Sequence, residues 1–157
     1  MVFVRVCFIS ALLFGSAAHS SNLDVKVKEV TGRATNTITS LEPVDETTLL
    51  INSDVFGKLT YFGKFTGVFH YVAVLSPTTI ELIGDATFTN TSGDKLFLAA
   101  NILEHTETSP YAVEGTLTII GGTGHYNNAT GSIEVSGLDG ESLTDTLSLD
   151  GVVNVLK

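Results

Sequence analysis

Apolar and polar residues alternate with a period of two along most of the chain, the pattern of strands with one buried and one exposed face. Leu23, Val25 and Val27 alternate with Asp24, Lys26 and Lys28, and residues 47–51 form a short β-branched run. Residues 59–75 read as one long strand in which Gly63 and Gly67 mark a bend or bulge. Ile80, Leu82, Ala86 and Phe88 alternate with Glu81, Ile83, Asp85 and Thr87, whereas 96–103 is nearly continuous apolar sequence with no assignable face. Val113, Leu117 and Ile119 follow, then Ile133 and Val135, then Leu143, Leu147, Leu149, Val153 and Val155. Turn formers separate these runs at Ser76-Pro77, Asn90 to Asp94, Ser109-Pro110 and Gly137 to Gly140. No segment carries an i, i+3, i+4, i+7 apolar stripe. The pattern predicts one all-β domain of about eight strands, and by itself leaves an antiparallel barrel and a β-sandwich equally open.

Residues 117–135, LTIIGGTGHYNNATGSIEV, organise this pattern. A strand enters through Leu117 and Ile119, and Gly121, Gly122 and Gly124 allow a sharp corner. Asn127, Asn128 and Gly131 extend the turn, and a second strand leaves through Ile133 and Val135, completing a hairpin. The run I-I-G-G-T-G-x-Y-x-x-A-x-G, Ile119 to Gly131, resembles the signature of the dirigent proteins and of their structural relatives, the allene oxide cyclase barrels. GKLTYFGKFTG, Gly57 to Gly67, is similar to a glycine-punctuated strand of secreted bacterial relatives.

The resemblance implies a closed antiparallel β-barrel of about eight strands, and closure also removes the exposed edges a sandwich would keep. It implies an apolar pocket that either folds a lipid-derived or polyketide substrate for cyclisation or orients phenoxy radicals made by another enzyme. The catalytic residues of those families lie outside the glycine motif, so the resemblance assigns none here. The acidic and arginine groups that line dirigent pockets have no evident counterpart in the sequence, Arg33 being the only arginine after residue 20, so lignan-type coupling is not implied.

Residues 1–20 read as a secretory signal peptide. Arg5 is their single charge, Val6 to Gly15 is an apolar core too short to span a bilayer, and Ser16-Ala17-Ala18 supplies small residues for cleavage. The expected product is a domain of residues 21–157, secreted to an extracellular or periplasmic space, with no stable membrane insertion once the leader is removed. The leader holds Arg5 and Cys7, the one cysteine, and none of the 17 acidic residues, so the remaining domain is more acidic than the −9 of the whole chain. Such a domain folds without disulfides. Its acidity argues against nucleic acid as a partner, since phosphate contacts are built from Lys and Arg.

Candidate chemistry is sparse. His19, His70, His105 and His125 lie far apart with no metal-site spacing, so no metal is expected. The strand after Gly124 excludes a dinucleotide fingerprint, which needs a helix there, and no cofactor is expected. Ser92-Gly93-Asp94-Lys95 fits S-x-x-K but falls in a turn where the acylating enzymes place a helix start. Asn90 and Asn128 head glycosylation sequons.

Polar residues that share an apolar phase remain. The register of Leu143, Leu147 and Leu149 carries Asp145 inward, where burial raises a carboxyl pKa and suits it to acid or base catalysis. The opposing reading turns Asp145 to solvent through a register break near Gly140. Tyr71 is in phase with Phe65 and Phe69, and Tyr111 with Val113 and Leu117, each offering one hydroxyl to a ligand or to the core. His70 takes the face opposite Tyr71, and the apolar run before Glu104 and His105 does not say which of them faces in.

Two function classes follow. One is a secreted barrel that binds a hydrophobic small molecule, with Asp145 as catalytic residue and Tyr71 and Tyr111 as ligand contacts, acting as a cofactor-free cyclase, isomerase or stereo-directing protein. The other is a non-catalytic extracellular structural or interaction protein with a filled barrel; a homo-oligomer is compatible with either. A continuous pocket above ~300 Å³ favours the first class and a packed interior the second.

Overall fold

Alternation becomes eight antiparallel strands in the computed structural model, which describes residues 24–140 and 144–156. They are β1 (Val25–Pro43), β2 (Thr48–Leu59), β3 (Gly63–Leu75), β4 (Thr79–Asn90), β5 (Lys95–His105), β6 (Tyr111–Gly122), β7 (Thr130–Asp139) and β8 (Thr144–Leu156). Each strand pairs with its neighbours in sequence, and β1 also pairs with β8, so the sheet closes into a barrel and the sandwich is excluded. The expected signal peptide and Leu143 lie outside the described residues.

Three parts of the sequence pattern are corrected. The first strand continues to Pro43 through a stretch rich in Thr, Ser and Asn, and its phase is opposite to the one the valines suggest. Val25 and Val27 are 48% and 61% exposed, while Val30 and Ala34 are buried. Residues 59–75 are not one strand: the chain turns at 60–62, where Tyr61 (φ 63°) and Gly63 (φ 87°) take the left-handed conformation. The third correction is two register shifts. Ile38 and Ser40 of β1 pair with the consecutive Ser53 and Asn52, so Thr39 is an extra residue; Ile120 of β6 is extra in the same way against Phe97 and Leu98. A bulged residue reverses the phase that follows it. Thus Leu41, odd-numbered, faces the interior that even-numbered Asn36 and Ile38 face before the bulge.

The interior is filled at one end only. At the end of the β2–β3, β4–β5 and β6–β7 turns, Phe65 stacks on Phe88 at 4.4 Å between ring centroids, and Phe69 meets Phe88 edge-on at 5.7 Å. Phe62 packs against Tyr126 at 5.0 Å. The glycine motif closes this plug. After Gly122 the chain makes a short 3-10 turn over Gly124–Tyr126, with Gly124 (φ 58°) and Asn128 (φ 57°) both left-handed. Thr123 Oγ1 accepts from the Lys95 backbone N–H at 3.0 Å, and the Tyr126 hydroxyl donates to the Tyr61 carbonyl at 2.8 Å. Ala129 is fully buried. Thr123, Gly124, Tyr126 and Ala129 of the motif therefore have structural roles.

Candidate active site

The other end of the barrel, where β1 meets β2, β3 meets β4, β5 meets β6 and β7 meets β8, is hollow. A cavity of about 190 Å³ opens there, walled by aliphatic side chains that include Ile38, Leu49, Ile51, Leu82, Ile102 and Leu147. This volume is below the ~300 Å³ typical of a site for a drug-sized ligand, yet the interior is not packed either. It matches neither extreme expected from the sequence: the barrel is filled in one half and hollow in the other.

Three carboxylic acids enter this space from the ends of three strands. Glu104 follows Ile102 in the inward phase of β5 and is only 8% exposed. Asp139 continues the phase of Ile133 and Val135 to the last residue of β7. Asp145 precedes Leu147 by two residues on β8, so the register that points Leu147 and Leu149 into the barrel brings Asp145 to the cavity wall. Asn36 stands directly opposite Asp145 in the β1–β8 ladder and lines the same space.

The acids act on one another. Burial first, then the charge of Asp139 and a hydrogen bond shared with it, raise the Glu104 pKa to about 7. Burial, the hydrogen bond and charge of Asp139, and the charge of Glu104 raise Asp145 to about 7 as well. A carboxyl that titrates near neutrality can both give and take a proton at physiological pH. One oxygen each of Asn36, Asp139 and Asp145 is buried with no hydrogen-bond partner.

Of the three residues singled out by phase, Asp145 and Tyr71 line the cavity together. The Tyr71 ring stacks on Phe69 at 4.9 Å, joining the cavity to the aromatic plug, and burial holds its hydroxyl pKa well above the usual value. Tyr111 is half-buried at the start of β6, paired with Asp139, and is not among the residues lining the cavity. His70 and His105 face outward. His70 Nδ1 lies 2.7 Å from Asn52 Oδ1, and His105 Nε2 lies 3.2 Å from Glu114 Oε1. Among the described residues, no group of three or more His, Cys, Asp or Glu could hold a metal ion. A larger concavity of about 740 Å³ runs over the outer face of β5 to β7, but it is an open groove with no clustered buried acid.

Sequence reasoning missed Asp139 and Asn36 and left Glu104 unassigned. The signal for Asp139 was continued alternation through Gly137, which read instead as a turn. For Asn36 there was none, because the Thr- and Asn-rich half of β1 lacks an apolar phase.

No family model matches this chain, and no curated protein matches it. Among solved structures, the pterocarpan synthase dirigent protein GePTS1 superposes with a TM-score of 0.52 at 17% identity, over 86% of this chain and 93% of that one. The barrel fold is dirigent-like. A protein of unknown function from Clostridium acetobutylicum ATCC 824 is similar at a TM-score of 0.48 and 12% identity, over 83% of this chain and 99% of that one. At these identities the likeness concerns the fold. Among the described residues, no helix is long and apolar enough to cross a membrane.

Proposed function

We propose that the hollow end of this dirigent-like barrel binds a small apolar molecule and that Asp145 exchanges a proton with it, steering a cyclisation or isomerisation without a cofactor. The observation that supports this best is the placement of Glu104, Asp139 and Asp145 together on the wall of an otherwise aliphatic cavity. Carboxyls without a cationic partner are costly to bury, and apolar side chains of similar volume would stabilise a barrel built only as a scaffold. Here burial beside Asp139 raises the pKa of Glu104 and of Asp145 to about 7, which readies either for proton transfer at neutral pH. The aliphatic wall holds the ligand close to its reactive fold, and Tyr71 supplies a ring to pack against it. The leader pattern of residues 1–20 supports secretion of the domain. In this reading the alternative of a filled, non-catalytic barrel describes only the aromatic half.

The test uses 2-indanone, a small apolar ketone whose α-protons exchange with solvent. Binding is read as perturbation of the Ile51 and Ile102 methyl signals, and proton transfer as deuterium uptake at the α-carbons in heavy water. The expected result is binding together with exchange accelerated by about 10²-fold or more over buffer, the range of positioned acid–base catalysis. Asp145→Asn should bind the ketone and lose the acceleration. Perturbed methyls without accelerated exchange would leave a binding protein and remove the catalytic role; unperturbed methyls would overturn the reading altogether.

A further inference from the structure

The hydrogen-bonding groups of the cavity are unbalanced. Asn36 Oδ1, Asp139 Oδ1 and Asp145 Oδ1 are buried with no hydrogen-bond partner, and the only donors among the acids are the protons that Glu104 and Asp145 hold against Asp139 below about pH 7. The titratable groups facing the space are Tyr71 from β3, Glu104 from β5, Asp139 from β7 and Asp145 from β8; no Lys, Arg or His is among the residues lining it. His105, next to Glu104, turns outward to Glu114. Leaving buried acceptors unpaired forfeits their hydration with no return, so the complementary ligand is one that brings donors.

We propose that the ligand of this cavity is an organic cation, a primary or secondary amine carried on a compact apolar body. The inference rests on the hollow end being a ligand site. A primary ammonium brings three N–H donors to a wall whose polar groups are mostly acceptors, whereas an alcohol brings one. Its positive charge relieves the mutual repulsion of three acids that have no basic neighbour in the cavity, and the Tyr71 ring adds a face suited to a cation. An inorganic cation is disfavoured by the spacing: among the described residues no group of three or more His, Cys, Asp or Glu could hold a metal ion. The aliphatic wall meanwhile excludes water from the amine's body.

Charge complementarity also fixes the pH response. In the free protein Glu104 and Asp145 titrate near 7, so below that pH an entering ammonium must displace their protons. Affinity therefore rises with pH up to about 7, by about tenfold per pH unit for each proton displaced.

The experiment compares 2-aminoindane with its neutral isostere 2-indanol by calorimetric titration of the full chain at pH 5, 6, 7 and 8. The expected result is that the amine binds at least about tenfold more tightly than the alcohol at pH 8, the worth of one charge-assisted hydrogen bond. That preference should shrink toward pH 5, and the double variant Glu104→Gln with Asp145→Asn should abolish it while 2-indanol still binds. Binding of 2-indanol equal to or tighter than the amine at pH 8 would overturn the amine assignment and leave the ligand site standing. Absence of binding by either would overturn both. Displacement of 2-aminoindane by millimolar calcium chloride, beyond the effect of equal ionic strength, would show a metal site instead and equally overturn the amine assignment.

Discussion

Two single residues, Glu104 and Asp145, have carboxyls whose ordinary pKa values of 4.5 and 3.8 are both raised to about 7. The folded protein therefore binds more protons than the unfolded chain between those limits. Their contribution to stability is fully present below about pH 4 and is lost as pH rises through about 7. Melting temperature should fall from pH 4.5 to pH 8. In Asp139→Asn it should fall less steeply, because removing that charge returns both neighbours toward their ordinary range. Equal slopes for the two proteins would show that the acids do not sense one another. Asp145 could be found in the sequence because Leu147 and Leu149 fix the phase of β8 beside it. Glu104 could not, because the outward positions before it, Phe97 and Ala99, are as apolar as the inward ones.

At the scale of elements, the β6–β7 corner was legible because glycines and asparagines mark a turn by sterics that do not depend on the rest of the fold. Replacing Gly124 with Val forces a β-branched residue into φ 58° and drives its side chain into the Asp94 carboxylate. Gly122→Val fails for a different reason: its Cβ would meet the backbone carbonyls of Lys95 and Tyr126. Each should lower stability by roughly 1–3 kcal/mol in urea unfolding; wild-type stability in both would mean that the corner lies elsewhere. The hairpin hidden in residues 59–75 escaped notice because its turn includes Tyr61 and Phe62, residues that read as strand. Phe62 is there to fill the plug against Tyr126. Bulges at Thr39 and Ile120 are likewise invisible to alternation, since a single extra residue looks like noise until the partner strand supplies the register.

For the whole molecule, alternation says which side chains point inward but not whether they meet across the barrel. Filling depends on residue size at each level. Phenylalanines concentrate at one end, while Ala73, Ile80 and Leu82 leave room at the other. The resemblance of Ile119–Gly131 to dirigent and allene oxide cyclase barrels implied the closure that the structure shows. The acidic groups it implies for the pocket had no evident counterpart in the sequence, because Glu104 ends an apolar run and Asp139 falls where a turn is expected, and the structure brings both to the cavity wall. At this hollow end, burial in the cavity beside Asp139 brings the pKa of Glu104 and of Asp145 to about 7. Titrating the side-chain carboxyl carbons of Glu104 and Asp145 by nuclear magnetic resonance tests this most directly. Midpoints near 7 are expected for both; midpoints near 4, the range of solvated carboxyls, would mean that neither acid is held in the cavity.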